Sequence, residues 1–241
     1  MKQLITYDKL RLFAYSNDKI CQKPIRGVAI SFFGLNGVKM FDEDTPEAIA
    51  MAERGILYVV PYNNPWAWMN SQSVQYTDRI IDVLFEQYGL SNSIPIVSTG
   101  SSMGGLAALV YMVKAKRTPV ACVANCPVCD LPYHYTERPD LPRTLCSAFW
   151  HETCSIDEVL KAGSPLHLAP SMPDSDYFIF HCAADTRVNK QLHSDVFVAK
   201  MQENHRVVYH VVPDRDHGAL TDEMWEKFYQ YIYDSVDKYS R

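Results

Sequence analysis

The decisive stretch of this sequence is Ser98-Thr99-Gly100-Ser101-Ser102-Met103-Gly104-Gly105. Apolar runs precede it at 94–97 and follow it at 106–113, a pattern that predicts a buried strand turning sharply into a helix. Gly100 and Gly104 bracket Ser102, and glycine at these positions removes clashes on a strained turn that presents a serine. Ser102 is therefore the predicted nucleophile; the alternative is a glycine-rich turn without chemistry.

Composition restricts the class of protein. The 241 residues are 47% hydrophobic and 21% charged, which fits a single globular domain over 1–241 with a sizeable core. No run approaches the roughly 18 apolar residues of a membrane span, so no membrane partner is predicted. A net charge of -5 without a basic run argues against nucleic acid and favours a small, neutral substrate.

The first nine residues lack the apolar stretch and cleavage site of a secretory signal, which predicts a cytoplasmic protein. Seven cysteines, an odd number, fit free thiols better than a disulfide framework. Cys126 and Cys129 have the spacing of a metal-binding or redox pair, but two cysteines alone are a weak signal. We predict no metal and no cofactor. The alternative is a zinc site drawn from Cys126, Cys129, His134, Cys146, His151 and Cys154.

Apolar strands alternate with helices along most of the chain. This alternation is typical of an α/β fold, a doubly wound and mostly parallel sheet with helices on both faces. Short segments at 3–7 and 10–15 are expected to form a hairpin at the sheet edge. The alternation stops at 125–173, which holds seven prolines and scattered aromatic residues, and we expect a cap or lid inserted before the next-to-last strand.

Three chemically complementary residues follow apolar strands: Ser102, Asp185 and His217. A parallel sheet brings the ends of its strands to one edge, where ligands bind. A serine needs an imidazole to take its proton, and the imidazole needs a carboxylate to fix its tautomer. Asp214 and Asp216 are weaker candidates for the acid, because neighbours of His217 on a tight turn seldom reach its ring.

The order Ser, Asp, His resembles the α/β-hydrolase superfamily, and the resemblance covers nearly the whole chain. Gly100-x-Ser102-x-Gly104, the segment 181–188 around Asp185, Asp216-His217-Gly218 and Ser164-Pro165 are most similar to its prolyl-oligopeptidase and dienelactone-hydrolase branches. The resemblance implies the α/β-hydrolase fold and a Ser-His-Asp catalytic triad.

The resemblance also implies an oxyanion hole. Many relatives have His-Gly in the loop after an early strand, whereas this sequence has Phe33-Gly34. Because the donor there is a backbone N–H, Leu35 is expected to act together with the N–H of Met103.

Aromatic residues occur in the two loops expected over the site: Trp66, Trp68, Phe149 and Trp150. They are the predicted substrate-binding residues, with packing of the lid onto the core as the alternative.

The predicted activity is hydrolysis of a small carboxylic ester through an acyl-enzyme on Ser102. Peptide hydrolysis is the first alternative, although prolyl oligopeptidases carry a propeller domain for which 241 residues leave no room. A binding protein that keeps the fold without catalysis is the second.

Overall fold

A seven-stranded sheet forms the centre of the computed structural model, which describes residues 4–240. Its strands are β1 (Ala14–Ser16), β2 (Gly27–Phe32), β3 (Ile56–Pro61), β4 (Ile96–Ser101), β5 (Ala121–Asn125), β6 (Asp176–Cys182) and β7 (Val207–Val212). The strand order is β1-β3-β2-β4-β5-β6-β7, and only the pairing of β1 with β3 is antiparallel. The predicted α/β fold class is confirmed.

Helices cover both faces of the sheet. They are α1 (Pro46–Glu53), α2 (Ser71–Tyr88), α3 (Met103–Lys114), α4 (Leu131–Glu137), α5 (Leu141–Phe149), α6 (Ile156–Ala162), α7 (Pro165–Leu168), α8 (Val196–Met201) and α9 (Asp222–Tyr239). Residues of α9 and most buried residues of α1 join one apolar core cluster, and residues of α2, α3 and α8 join the other. Within residues 4–240, no helix has the length and apolar character needed to cross a bilayer.

The register of the parallel strands determines where the site forms. Ser101 at the end of β4 is opposite Asn125 at the end of β5, and Asn125 is opposite Phe180 in β6. Cys182 at the end of β6 is opposite Val212, where β7 ends. The loops that carry Ser102, Asp185 and His217 therefore leave the sheet at the same edge.

The start of the described chain differs from the predicted hairpin. Tyr7–Leu12 forms a 3₁₀ helix, and the short strand β1 pairs with β3 instead of with a preceding strand. Tyr7 and Leu10 are three residues apart, a spacing that puts both on one side of a 3₁₀ helix. Leu10 is buried and Leu12 is exposed. The alternation of Leu10, Leu12 and Ala14 in the sequence therefore does not correspond to one buried face of a strand. Residue 3 of the predicted hairpin lies outside the described residues.

The segment predicted as an insertion, 125–173, begins at the last residue of β5, ends before β6 and contains α4 to α7. Hydrogen bonds attach it to the loop before α2. Trp68 Nε1 donates to Thr144 Oγ1 at 3.1 Å, and Asn70 Nδ2 donates to the Ala148 carbonyl at 2.8 Å. The segment is thus packed against a core loop, and its function as a lid stays a prediction.

Candidate active site

Ser102 occupies the sharp turn between β4 and α3. Its φ and ψ are 60° and -125°, a left-handed conformation that is strained for a residue with a side chain. The two glycines are required by close backbone approach. A Cβ on Gly100 would lie 2.3 Å from the Gly104 carbonyl oxygen, and one on Gly104 would lie 2.1 Å from the Phe32 carbonyl oxygen. Sterics therefore explain the Gly-x-Ser-x-Gly pattern.

Gly104→Ala is expected to destabilise the protein by at least about 3 kcal/mol, because its methyl group would push two backbone segments apart. The expected fall in the unfolding midpoint is at least about 6 °C for a chain of this size. Thermal unfolding followed by circular dichroism measures it. Gly34→Ala is the matched control, since a Cβ there meets nothing closer than 3.6 Å. Equal midpoints for the two variants would contradict the steric argument.

Asp185 and His217 form the second part of the site. His217 Nδ1 lies 2.7 Å from Asp185 Oδ2, and the other carboxylate oxygen accepts from the backbone N–H groups of Arg187 (2.8 Å) and Val188 (2.9 Å). The Asp185 carboxylate is buried, whereas His217 is 20% exposed. Because an ionised carboxylate only accepts, Nδ1 of His217 carries its proton and Nε2 is available as a base.

A second histidine holds the same carboxylate. His181 Nε2 lies 3.2 Å from both Asp185 Oδ2 and the Val188 carbonyl oxygen, and His181 Nδ1 lies 2.6 Å from Ser194 Oγ. Burial raises the pKa of Asp185, but hydrogen bonds from His181, His217 and the Val188 N–H outweigh it and hold the pKa well below its usual range. The carboxylate therefore stays ionised at neutral pH. His181 lies in β6, and nothing in the sequence around it indicates this contact.

Asn125, at the end of β5, connects the serine turn to the histidine loop. Its carbonyl accepts the Ser102 N–H at 2.9 Å, and its side-chain Nδ2 donates to the Gly218 carbonyl at 3.2 Å. Beside it, Cys126 Sγ accepts from the backbone N–H groups of Cys182 and Gly218, both at 3.4 Å. Neither role has a signal in the local sequence, because both depend on the pairing of β4, β5 and β6.

One cavity contains the reacting groups. It is lined by Gly34, Leu35, Asn36, Trp68, Ser102, His134, Arg138, Arg187, Val188, Asp216 and His217. Within residues 4–240 no hydrogen bond joins Ser102 Oγ to His217, a contact that often tightens only when substrate binds. The guanidinium of Arg138 is paired with Asp140, whereas the Arg187 side chain has no partner among the described residues.

The two expected oxyanion donors lie beside Ser102. Met103 is the first residue of α3, where backbone N–H groups lack intrahelical partners. The loop of Leu35 approaches the serine turn closely, since a Cβ on Gly34 would lie 3.7 Å from Ser102 Cβ. Gly37 N–H donates to the Gly34 carbonyl and Asn36 N–H to the Pro65 carbonyl. Among the described residues, the N–H groups of Leu35 and Met103 have no hydrogen-bond acceptor.

The four predicted substrate-binding aromatic residues have different positions. Trp68 lines the cavity and has a positive φ of 46°. Phe149 is buried in the core, Trp66 is 40% exposed and Trp150 is 80% exposed, and none of these three lines the cavity. Phe149 instead packs the predicted lid onto the core, which was the alternative for these residues, because it belongs to the main apolar cluster.

The cysteines do not form the alternative zinc site. All seven are free thiols, and Cys126 and Cys129 are buried whereas Cys146 and Cys154 are exposed. Burial raises the pKa of the Cys129 thiol well above its usual value, so it stays protonated. Two other groups of potential ligand atoms lie close together in the described chain, namely Cys126 with His181 and Asp185, and His134 with Glu137 and His193.

A mostly parallel sheet that presents a serine on a strained strand-to-helix turn gives this chain the α/β-hydrolase fold. It belongs to the prolyl oligopeptidase family, whose model matches residues 66–241.

Solved structures agree on the fold. A puromycin hydrolase superposes with a TM-score of 0.73 at 14% identity, covering 90% of this chain and 34% of its own. The acylaminoacyl peptidase of Pyrococcus horikoshii superposes with a TM-score of 0.71 at 14% identity, covering 90% of this chain and 38% of its own. An esterase from Thermogutta terrifontis superposes with a TM-score of 0.66 at 18% identity, covering 93% of this chain and 86% of its own. The chain thus spans about a third of the length of the puromycin hydrolase and of the acylaminoacyl peptidase. No curated protein sequence matches it.

Proposed function

We propose that this protein hydrolyses a carboxylic ester of a small molecule through an acyl-enzyme on Ser102. The observation that carries the proposal is the 2.7 Å contact between His217 Nδ1 and Asp185, in a loop that shares one cavity with Ser102. This contact leaves the unprotonated Nε2 of His217 as the base that Ser102 requires.

The reaction has two halves. In the first, Ser102 Oγ attacks the ester carbonyl while His217 Nε2 takes its proton, and His217 then returns that proton to the leaving alcohol. In the second half, His217 Nε2 takes a proton from water as the water oxygen attacks the acyl carbonyl. The bond to Ser102 Oγ then breaks, the carboxylic acid leaves, and His217 returns the proton to Ser102 Oγ. Asp185 remains ionised and stabilises the imidazolium in both halves. The N–H groups of Leu35 and Met103 hold the developing oxyanion, and Trp68 forms a wall of the substrate site.

Three measurements test the proposal. A fluorophosphonate probe is expected to label Ser102, located by mass spectrometry of the labelled peptide, and p-nitrophenyl acetate is expected to be hydrolysed. A pair of esters with and without a carboxylate, p-nitrophenyl butanoate and p-nitrophenyl hemisuccinate, tests the expected preference for a neutral substrate. Labelling without turnover of any ester contradicts the esterase activity, and absence of both favours a binding protein that keeps the fold.

Peptide hydrolysis is the second candidate, and the family match over residues 66–241 favours it. Two of the similar structures are a puromycin hydrolase and an acylaminoacyl peptidase. Aminoacyl p-nitroanilides compared with p-nitrophenyl esters of the same acyl groups distinguish the two candidates. A higher kcat/KM for the anilides would replace the ester assignment with a peptidase.

A further inference from the structure

A buried polar cluster lies against the active-site cavity and takes no part in the proposed chemistry. His134 and Glu137 are one turn apart on α4, and His193 belongs to the π-helical turn Gln191–Asp195 before α8. The side chains of His134, Glu137 and His193 are 2%, 9% and 0% exposed. Both rings meet the same carboxylate oxygen: Glu137 Oε2 lies 2.9 Å from His193 Nε2 and in contact with His134 Nδ1.

The proton positions in this cluster follow from its partners. His193 Nδ1 accepts the backbone N–H groups of Cys129 (3.1 Å) and Asp130 (3.2 Å), so the ring proton of His193 lies on Nε2 and is donated to Glu137. Glu137 Oε1 accepts the Asn189 N–H at 3.1 Å. Burial raises the pKa of Glu137, but hydrogen bonds from His134 and His193 outweigh it and lower the pKa to about 2.

The same partners argue against a metal ion in the cluster. A metal bound to His193 Nε2 would take the lone pair of that nitrogen, while the Nδ1 lone pair already faces two N–H donors. The ring would then have to be an imidazolate anion. The short contacts of Glu137 with both rings are hydrogen bonds, and the ionised carboxylate fixes a proton on His134 Nδ1.

The remaining nitrogen of His134, Nε2, is the ring nitrogen left to face the cavity, because Nδ1 is held by Glu137. It makes no hydrogen bond among the described residues, but it is not fully enclosed. The fully buried side-chain atoms without a partner in that part of the chain are Ser16 Oγ, Asn125 Oδ1, His151 Nδ1 and His205 Nδ1. His134 lines the cavity together with Ser102. Its ring packs edge-on against Trp68, with ring centroids 5.4 Å apart, and this contact limits its rotation.

The charge state of His134 sets the kind of group it can bind. Burial lowers the pKa of His134, with an opposing contribution from Glu137 and further lowering by His193 and Arg138. The ring is therefore neutral at pH 7, with its proton on Nδ1, and Nε2 is a hydrogen-bond acceptor.

We infer that His134 is a specificity-determining residue that accepts a hydrogen bond from a hydroxyl or amide N–H group of the substrate. Glu137 and His193 are positioning residues that act through His134. The inference rests on the proposed function, since it names a feature of the ester that Ser102 attacks.

Two isosteric pairs of p-nitrophenyl esters test the inference and distinguish the donors. N-acetylglycine against 4-oxopentanoate exchanges an N–H for a methylene group, and 3-hydroxybutanoate against 3-methylbutanoate exchanges a hydroxyl for a methyl group. The wild-type protein is expected to prefer the donor in at least one pair by about tenfold in kcat/KM, mostly through KM. The ratio within a pair cancels any general loss of activity.

The variants separate recognition from structure. His134→Asn places an amide where Nδ1 was, so it can keep the Glu137 contact, but it removes Nε2 from the cavity; the ratio is expected to fall to about one. His134→Gln places an amide near Nε2 and is expected to restore part of the ratio. Glu137→Gln is expected to lower the ratio because it no longer fixes the His134 tautomer. His151→Asn, in the same segment but outside the cavity, is the control.

The outcomes distinguish the role of His134 from the proposed ester hydrolysis. Turnover with a ratio near one in both wild-type pairs overturns the role of His134 and leaves the proposed function intact. If His134→Asn lowers kcat/KM equally for both members of a pair, the recognition role of His134 is also overturned, because loss of a purely structural residue would have this effect. Absence of any ester turnover by the wild-type protein overturns both proposals.

Discussion

Ser102→Ala is expected to lower kcat for p-nitrophenyl acetate by at least about 10⁴-fold. Without Oγ no acyl-enzyme forms, and only the oxyanion donors and the binding site remain to accelerate attack by water. Stopped assays at high enzyme concentration measure the residual rate, and loss of fluorophosphonate labelling checks the same residue independently.

Ser101→Ala is the matched control for this variant. Ser101 is the last residue of β4, immediately before Ser102, and no catalytic function is assigned to it. Its kcat is expected to remain within a few-fold of the wild-type value, and circular dichroism should show that both variants are folded. Wild-type turnover by Ser102→Ala, or labelling of a different serine, would refute the assignment of the nucleophile.

Asp185→Asn is expected to lower kcat by about 10⁴-fold, as loss of the correct histidine tautomer does in serine hydrolases. The Asp185 carboxylate accepts from His217, His181 and two backbone N–H groups. An asparagine oxygen that keeps the backbone contacts turns its NH₂ group toward both rings. His217 must then present an unprotonated Nδ1, and Nε2 carries a proton and is no longer a base.

The matched control is Asp214→Asn, in the loop that also carries His217. Asp214 has a positive φ of 53°, which asparagine tolerates well, so its fold should be retained. Steady-state kinetics on both variants measure the difference. Comparable losses in the two would show that a general loss of acidic charge near the histidine, rather than its tautomer, governs the rate.

The parts of the site that sequence reasoning predicted are those with a local or a topological signal. Gly100, Ser102 and Gly104 form a pattern whose cause lies within one turn of chain. Asp185 and His217 are far apart in sequence, but each follows an apolar strand, and parallel pairing brings such positions to one edge. Their hydrogen bond is therefore a consequence of topology.

The parts that were missed depend on contacts between distant segments. Glu137 and His193 lie on different helices, and their positions in the sequence give no indication that Glu137 contacts both His134 and His193. In the sequence His181 is an ordinary strand residue, and its contact with Asp185 exists only in the folded chain. Aromatic composition located Trp68 in the cavity but did not distinguish it from Trp150, whose ring is exposed.

The hydrogen bond from the Ser102 N–H to the Asn125 carbonyl gives the site a direct spectroscopic reporter. The side chain of that asparagine also donates to the Gly218 carbonyl, next to His217, so one residue of β5 fixes both the serine turn and the histidine loop. Solvent exchange of the Ser102 amide proton requires this connection to open. Its exchange rate therefore measures how often the serine turn detaches from the end of β5 in the resting protein.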